Sequence, residues 1–237
     1  MPGLEHLPFA EVWFHEIDDA SWREASRRAL AIGKTGLEVW TTDRTQEVAA
    51  FLEARGYEIV RRYVISELDV ASAREPDPPN LELTTLAARP DLAHELFEIA
   101  CESYPDQPGR TEQRMDSFEE WRAWGLDPHP DATYFIALED GHAIGYGFLS
   151  LEEGIWWHGF AAVAREARGK GVASAIKRAQ IRWAKTNGVT ALRTANEERL
   201  VGMLAMNERL GYRPLYTELV LRAPSPEAEP EPTAGCA

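Results

Sequence analysis

The stretch from Ile155 to Thr186 constrains this chain more than any other. Ile155-Trp156-Trp157-His158-Gly159-Phe160-Ala161-Ala162-Val163 is an apolar run of strand length, and Ala173 to Thr186 has helical spacing. Between them lies Arg168-Gly169-Lys170-Gly171-Val172-Ala173, where two glycines let the backbone turn and stay uncovered. A strand that enters a helix through such a loop presents unpaired N–H groups and a positive dipole end, which suits a pyrophosphate. Between Ile155 and Thr190 the chain has seven basic residues and one acid, Glu166, against a net charge of −14 overall. A local positive field in an acidic protein suits a polyanionic small ligand. The same residues read equally as a solvated helix face, apart from Arg168 and Lys170 in the loop itself.

The spacing is neither the Walker phosphate loop nor the three-glycine dinucleotide fingerprint. Arg168, Gly171 and Ala173 instead resemble the acyl-CoA loop of the GNAT superfamily of N-acyltransferases: Arg or Gln, two residues, Gly, one residue, then Gly or Ala. The context agrees. Leu192-Arg193-Thr194-Ala195-Asn196 reads as the next strand, and Met203 to Tyr212 resembles the family's closing helix with its Leu-Gly-Tyr end. The resemblance covers Leu81 to Arg222 and implies an α/β GNAT fold, a mixed and mostly antiparallel sheet flanked by helices. It also implies acetyl-CoA as acyl donor, with Arg168, Gly169, Lys170, Gly171, Val172, Ala173 and Ser174 at the pyrophosphate. Ala161, Ala162 and Val163 would pair with the pantetheine arm, and Asn196 and Asn207 would contact it or the sulfur.

Several features exclude other classes. The acidic balance argues against a nucleic-acid partner. No apolar run approaches the ~20 residues that cross a bilayer, and the first residues lack a basic signal region. The chain therefore reads as cytoplasmic, with no membrane partner. Cys101 and Cys236 are far apart, which argues against a disulfide framework or a metal site.

Residues 1–70 read as a truncated second copy. Glu11–Glu16 reads as a strand, Ser21–Ile32 as a helix capped by Ser21 with Glu24, 37–42 as a strand and 45–55 as a helix ended by Gly56. Tyr57 to Leu68 gives one or two strands. Ala49 to Tyr57 falls on Leu204 to Tyr212, but Ile17-Asp18-Asp19-Ala20 replaces the phosphate loop, and its aspartates would repel a phosphate. Such a half-domain would complete the sheet, form the surface of a homodimer or wall the acceptor site. Residues 71–80 read as a Pro-rich linker, 81–223 as the complete GNAT domain ending in a strand pair, and 224–237 as a disordered tail.

The reaction that the resemblance implies moves an acetyl group directly to an amine. A free amine has a pKa near ~10, so a base or a water relay is required. Glu152 and Glu153, at a hairpin-to-strand turn, and His158 are the candidates. Each has a bland reading: the glutamates as solvated, His158 as structural, since its strand parity opposes that of Ala161 and Val163. Where many family members carry an acidic Tyr, this chain has Asn207, which cannot supply a titrating proton. Glu102, Tyr104, Trp121 and Tyr134 are candidates for the acceptor cleft, although Phe118, Trp121 and Trp124 also have the spacing of an ordinary buried face. The expected activity is acetyl-CoA-dependent N-acetylation of a small-molecule primary amine. A catalytically weak CoA-binding scaffold, or a protein N-terminal or lysine acetyltransferase, stands as the alternative.

Overall fold

The computed structural model describes residues 8–73, 81–106, 117–129 and 133–223, without the side chain of Trp124. The expected linker from residue 74, the connection after 106 and the tail from 224 lie outside these residues.

The chain runs through β1 (Phe9–Trp13), α1 (Asp19–Ala31), β2 (Gly36–Thr42), α2 (Gln46–Glu53) and β3 (Glu58–Asp69). There follow β4 (Glu82–Thr85), α3 (Ala93–Ser103), α4 (Phe118–Trp121), β5 (Tyr134–Glu139), β6 (His142–Glu152) and β7 (Ile155–Val163). Then come α5 (Val172–Thr186), β8 (Ala191–Glu197), α6 (Val201–Arg209) and β9 (Arg213–Arg222). The expected final strand pair is thus the single strand β9, and β3 is likewise one strand. Two compact units share the described residues: 65–215, and 8–64 with 216–223. The division falls inside β3 and inside β9, not at residues 71–80.

In the unit of residues 65–215, the strands follow the order β3, β8, β7, β6, β5, β4. β4 to β7 pair antiparallel, and β7 pairs parallel with β8. Alternation along β5 sorts the core into two layers. Phe135 and Ala137 join Val172, Ile176, Ile181 and Ala184 of α5, while Tyr134, Ile136 and Leu138 join Leu96, Ile99 and Ala100 of α3 and Trp121 of α4. The turn between β5 and β6 places both Asp140 and Gly141 at positive φ, as an Asp-Gly hairpin requires.

In the unit of residues 8–64 and 216–223, β1 pairs parallel with β2, and β2 pairs antiparallel with residues 218–222 of β9. Helices α1 and α2 bury Ala29, Val48 and Leu52 against Leu37, Val39, Leu219 and Leu221. The cap of α1 sits one turn earlier than expected. The Asp18 carboxylate accepts from the Ser21 N–H at 2.7 Å, and the Asp18 N–H donates to Ser21 Oγ at 3.0 Å. Ser21 therefore holds the N3 position of the capping box and not the N-cap. Glu24 pairs with Arg27 and Arg28.

Candidate functional site

The loop after β7 makes a short 3-10 turn over Arg165–Ala167 and then enters α5 through Gly169 (φ 75°) and Gly171 (φ 84°). Gly171 is the N-cap of α5 in left-handed conformation, and no side chain caps that helix. Its first-turn N–H groups are therefore available to an anion. The contrast with α1 is direct, because there the Asp18 carboxylate takes that place. Arg168, Gly169, Lys170 and Gly171 are exposed, Ala173 and Ser174 half-buried, and Val172 anchors the turn in the core. The Arg168 guanidinium donates to Asp106 at 2.7 Å and to the Val163 carbonyl at 3.1 Å, which holds the loop beside the end of β7.

β7 pairs with β6 along its length but with β8 only at Trp156↔Leu192 and Trp157↔Arg193. From His158 and Thr194 onward the two parallel strands carry no ladder. The free edge of β7 from His158 to Val163 can accept an extended chain as an added strand. Ala161 is exposed and Val163 half-buried on that limb, while Ala162 is buried on the opposite face. An open strand edge leading to an uncapped helix N-terminus can take a ligand with an extended amide arm and an anionic head.

A bulge lies within that edge. Gly147 opposes Ala161 while Leu149 opposes His158, so β7 carries one extra residue over that span. The extra residue reverses the expected parity. His158 falls on the same face as Ala161 and Val163, toward α5, where it is half-buried. Its Nδ1 lies 2.8 Å from Gln180 Oε1, and its Nε2 meets the Tyr212 hydroxyl. Burial, reinforced by the nearby Lys177 charge, holds its pKa well below the ordinary histidine value. Both nitrogens of His158 are thus engaged within the protein.

Asn207 is also buried and engaged. Its Oδ1 accepts from Lys177 Nζ at 2.6 Å, and its Nδ2 donates to Asn196 Oδ1 at 2.6 Å. Thr194 Oγ1 accepts from Lys177 at 3.2 Å and donates to Asn196 at 3.3 Å. Helical spacing on α5 disguised Lys177 as one more solvated cation; the structure buries it.

The remaining candidates separate by exposure. Trp121, Tyr134 and Tyr104 are 2%, 0% and 5% exposed and serve the core below α3, with the Tyr134 hydroxyl on the Gly125 carbonyl. Glu102 accepts from the Arg165 N–H at 3.0 Å and lines a cleft of about 850 Å³ with Glu95, Glu98 and Glu166. Glu152 and Glu153 are exposed, and Ser150 Oγ donates to Glu152 at 2.9 Å. His129 escaped the sequence reading because it lies in a stretch without periodicity. Its half-buried ring lies tilted against Phe148 with the ring centroids 4.4 Å apart, and among the described residues neither ring nitrogen has a hydrogen bond. Burial lowers its pKa, opposed by the charge of Glu152. Phe148 in turn covers Gly159 at the bulge.

Residues 93–212 match the Acetyltransferase (GNAT) family, and the chain belongs to it. It is accordingly an acyltransferase. No curated protein sequence matches. Among solved structures, a GCN5-related N-acetyltransferase from Sphaerobacter thermophilus is similar at TM-score 0.66 and 19% identity over 85% of this chain. The chain spans 65% of that protein's length. One from Kribbella flavida gives TM-score 0.59 and 18% identity, over 90% of this chain and 78% of the other. A tandem GNAT protein from the clavulanic acid biosynthesis pathway gives 0.59 and 24%, over 85% and 67%. At these identities the likeness is one of fold. Among the described residues no helix is long and apolar enough to cross a membrane.

Proposed function

We propose that the protein transfers an acetyl group from acetyl-CoA to the primary amine of a small molecule. The observation that carries this reading is the open edge of β7 running into the uncapped N-terminus of α5. The thioester supplies an activated acyl carbon next to a good leaving group. The β7 edge at Ala161–Val163 would hold the pantetheine amides as a strand partner. The N–H groups from Gly169 to Ser174, with Lys170 and a reoriented Arg168, would hold the pyrophosphate. A backbone N–H at the β7 bulge would polarise the acyl oxygen as a preorganised donor.

On the opposite face, the half-buried His129 imidazole is the base that we assign to the amine. Its lowered pKa keeps it neutral near pH 7, and its nitrogens are uncommitted. The net charge of −14 and the carboxylates of the α3 cleft support a cationic acceptor.

We further read residues 8–64 as a reduced copy of the same motif. β1-α1-β2-α2-β3 repeats the order of β7-α5-β8-α6-β9, with a parallel first pair in both. The Asp18 carboxylate at the head of α1 makes that copy unsuited to a phosphate.

The test is calorimetric titration with acetyl-CoA of the wild type and of Gly171→Glu, which sets a strained side chain and a negative charge among the α5 N–H groups. Micromolar binding lost in the variant supports the reading, and absence of binding by the folded wild type refutes it. In a subsequent amine screen, His129→Ala is expected to lose about 10²-fold or more in kcat while its acetyl-CoA affinity holds.

A further inference from the structure

Lys177 is an anomalous polar residue, a lysine buried in the core. It lies on α5, one residue after the core residue Ile176, and is 5% exposed. Among the described residues it makes no ion pair. Its ammonium meets only neutral groups: Asn207 Oδ1 at 2.6 Å, Thr194 Oγ1 at 3.2 Å and the ring of Tyr212 at 4.8 Å. The titratable groups facing it are His158 from β7, held neutral, and Tyr212, whose hydroxyl rests on His158. Among the described residues no carboxylate offsets its burial. An ammonium enclosed in this way destabilises a fold relative to an apolar side chain of similar volume, so packing alone does not account for it.

Its position does. The last paired rung of β7 and β8 is Trp157↔Arg193. His158 and Thr194 are the first residues beyond it, one on each diverging limb. Thr194 binds Lys177 directly, and His158 is joined to it through the Tyr212 side chain, whose ring underlies the ammonium. Lys177 therefore stands at the vertex where the two strands part. Asn196, two residues along the β8 limb, is fixed by Asn207 and Thr194, and among the described residues its own Nδ2 has no partner. A thioester lying in the opening would have its reacting end at this vertex, beside the β7 bulge.

We propose that Lys177 is the acid of the transfer, its ammonium giving a proton to the sulfur that leaves the acyl group. The amine nitrogen bonds to the acyl carbon as the carbon–sulfur bond breaks, and the sulfur departs with the electron pair. It takes its proton from Lys177 Nζ. The surplus proton of the nitrogen passes to the base, and solvent returns a proton to Lys177, so the sum is amine plus thioester to amide plus thiol. Burial brings the Lys177 pKa down to about 7. A thiol titrates near ~8.5, so transfer from this ammonium to a thiolate is downhill, as it would not be from an ordinary lysine near ~10.4. The role would supply in Lys177 the titrating proton that Asn207 cannot.

This proposal rests on the acyl-CoA reading, and binding and kinetics test the two separately. Binding of coenzyme A is measured first by calorimetry. The rate of acetyl transfer to the amine that the screen identifies is then followed between pH 6 and pH 9, in the wild type, Lys177→Met and Lys177→Gln. The wild-type kcat is expected to fall as pH rises above about 7 and Lys177 loses its proton. Both variants are expected to be slower by about tenfold or more at neutral pH and to lack that falling limb. Equal kcat and the same pH profile in wild type and variants overturns the proposal and leaves the acyl-CoA reading standing. If both variants fail to fold, the wild type decides: a kcat that holds or rises from pH 7 to pH 9 refutes the acid role, and one that falls supports that role. A folded wild type that does not bind coenzyme A overturns both.

Discussion

The ring of Phe148 occupies the space that a Cβ on Gly159 would need; an ideal Cβ there would fall 2.2 Å from Phe148 Cε2. The β7 bulge and the packing of β6 are thus fitted to each other through one missing side chain. Gly159→Ala must displace the ring, and with it the His129 imidazole that lies against Phe148. The expected cost is about 1–3 kcal/mol, typical of overpacking a close-packed core, read by denaturant unfolding. Phe148→Leu in the same chain should recover most of it, because the two sites are in contact and do not add.

Lys177 gives a second, purely thermodynamic expectation. Its folded pKa, about 7, lies below its unfolded value of 10.5. Between those values the unfolded chain binds more protons, so stability rises with pH from about 7 to 10.5. Below that window both states are charged and the cost of burial is fully present. Lys177→Met should remove this slope and be more stable than the wild type at pH 7 by an amount on the order of a few kcal/mol. Urea unfolding at pH 7 and pH 9.5 checks it; identical slopes for the two proteins would count against the buried charge.

Glu38 lies on β2 between Arg61 and Arg222 and is 3% exposed. Arg61 is itself largely buried, and its Nε has no hydrogen-bond partner. Glu38→Ala therefore leaves an uncompensated guanidinium and is expected to cost about 3–5 kcal/mol. Replacing Glu38 and Arg61 together by leucine should be much milder, since the paired charges vanish with their desolvation. Thermal unfolding of the single and double variants separates charge pairing from shape.

Acid sensitivity should concentrate on α1. The Ser21 backbone N–H holds the Asp18 carboxyl below its ordinary range, and hydrogen bonds from Arg27, then Arg28, bring Glu24 down to about 2. A depressed carboxyl pKa contributes stability above its unfolded value, and this is lost as pH falls through the folded one. For Glu24 the window runs from about 4.5 to about 2. Asp18 is exposed and the Glu24 side chain 42% exposed, so the contribution is small and falls with salt. Circular dichroism of wild type and Glu24→Gln through that range should show a difference at low ionic strength that disappears at 1 M salt.

The elements around the site were legible because their signals are local. The glycines of the 168–173 loop, the apolar run of β7, the Asp-Gly turn before His142 and the spacing of α5 each declare themselves within a few residues. The Asp18 cap was misplaced by one turn because Ser21 and Glu24 have the same capping spacing, and only the chain direction into α1 selects between them.

By itself, then, the sequence determined the order of strands and helices, the uncapped glycine entry to α5 and the acidic background against a basic loop. These depend on backbone freedom, hydrophobic period and charge, which near neighbours define. Tertiary structure alone decided which way His158 faces, since the bulge opposite Gly147 and Leu149 inverts its parity, and that bulge exists through a contact between different strands. It decided as well that Trp121 and Tyr134 belong to the core, that a half-buried His129 rests on Phe148, and that Lys177 is enclosed at the parting of β7 and β8. Each of these is a relation between residues far apart in sequence. Burial, and the shifted proton affinity that follows from it, is set by what the fold packs around a side chain.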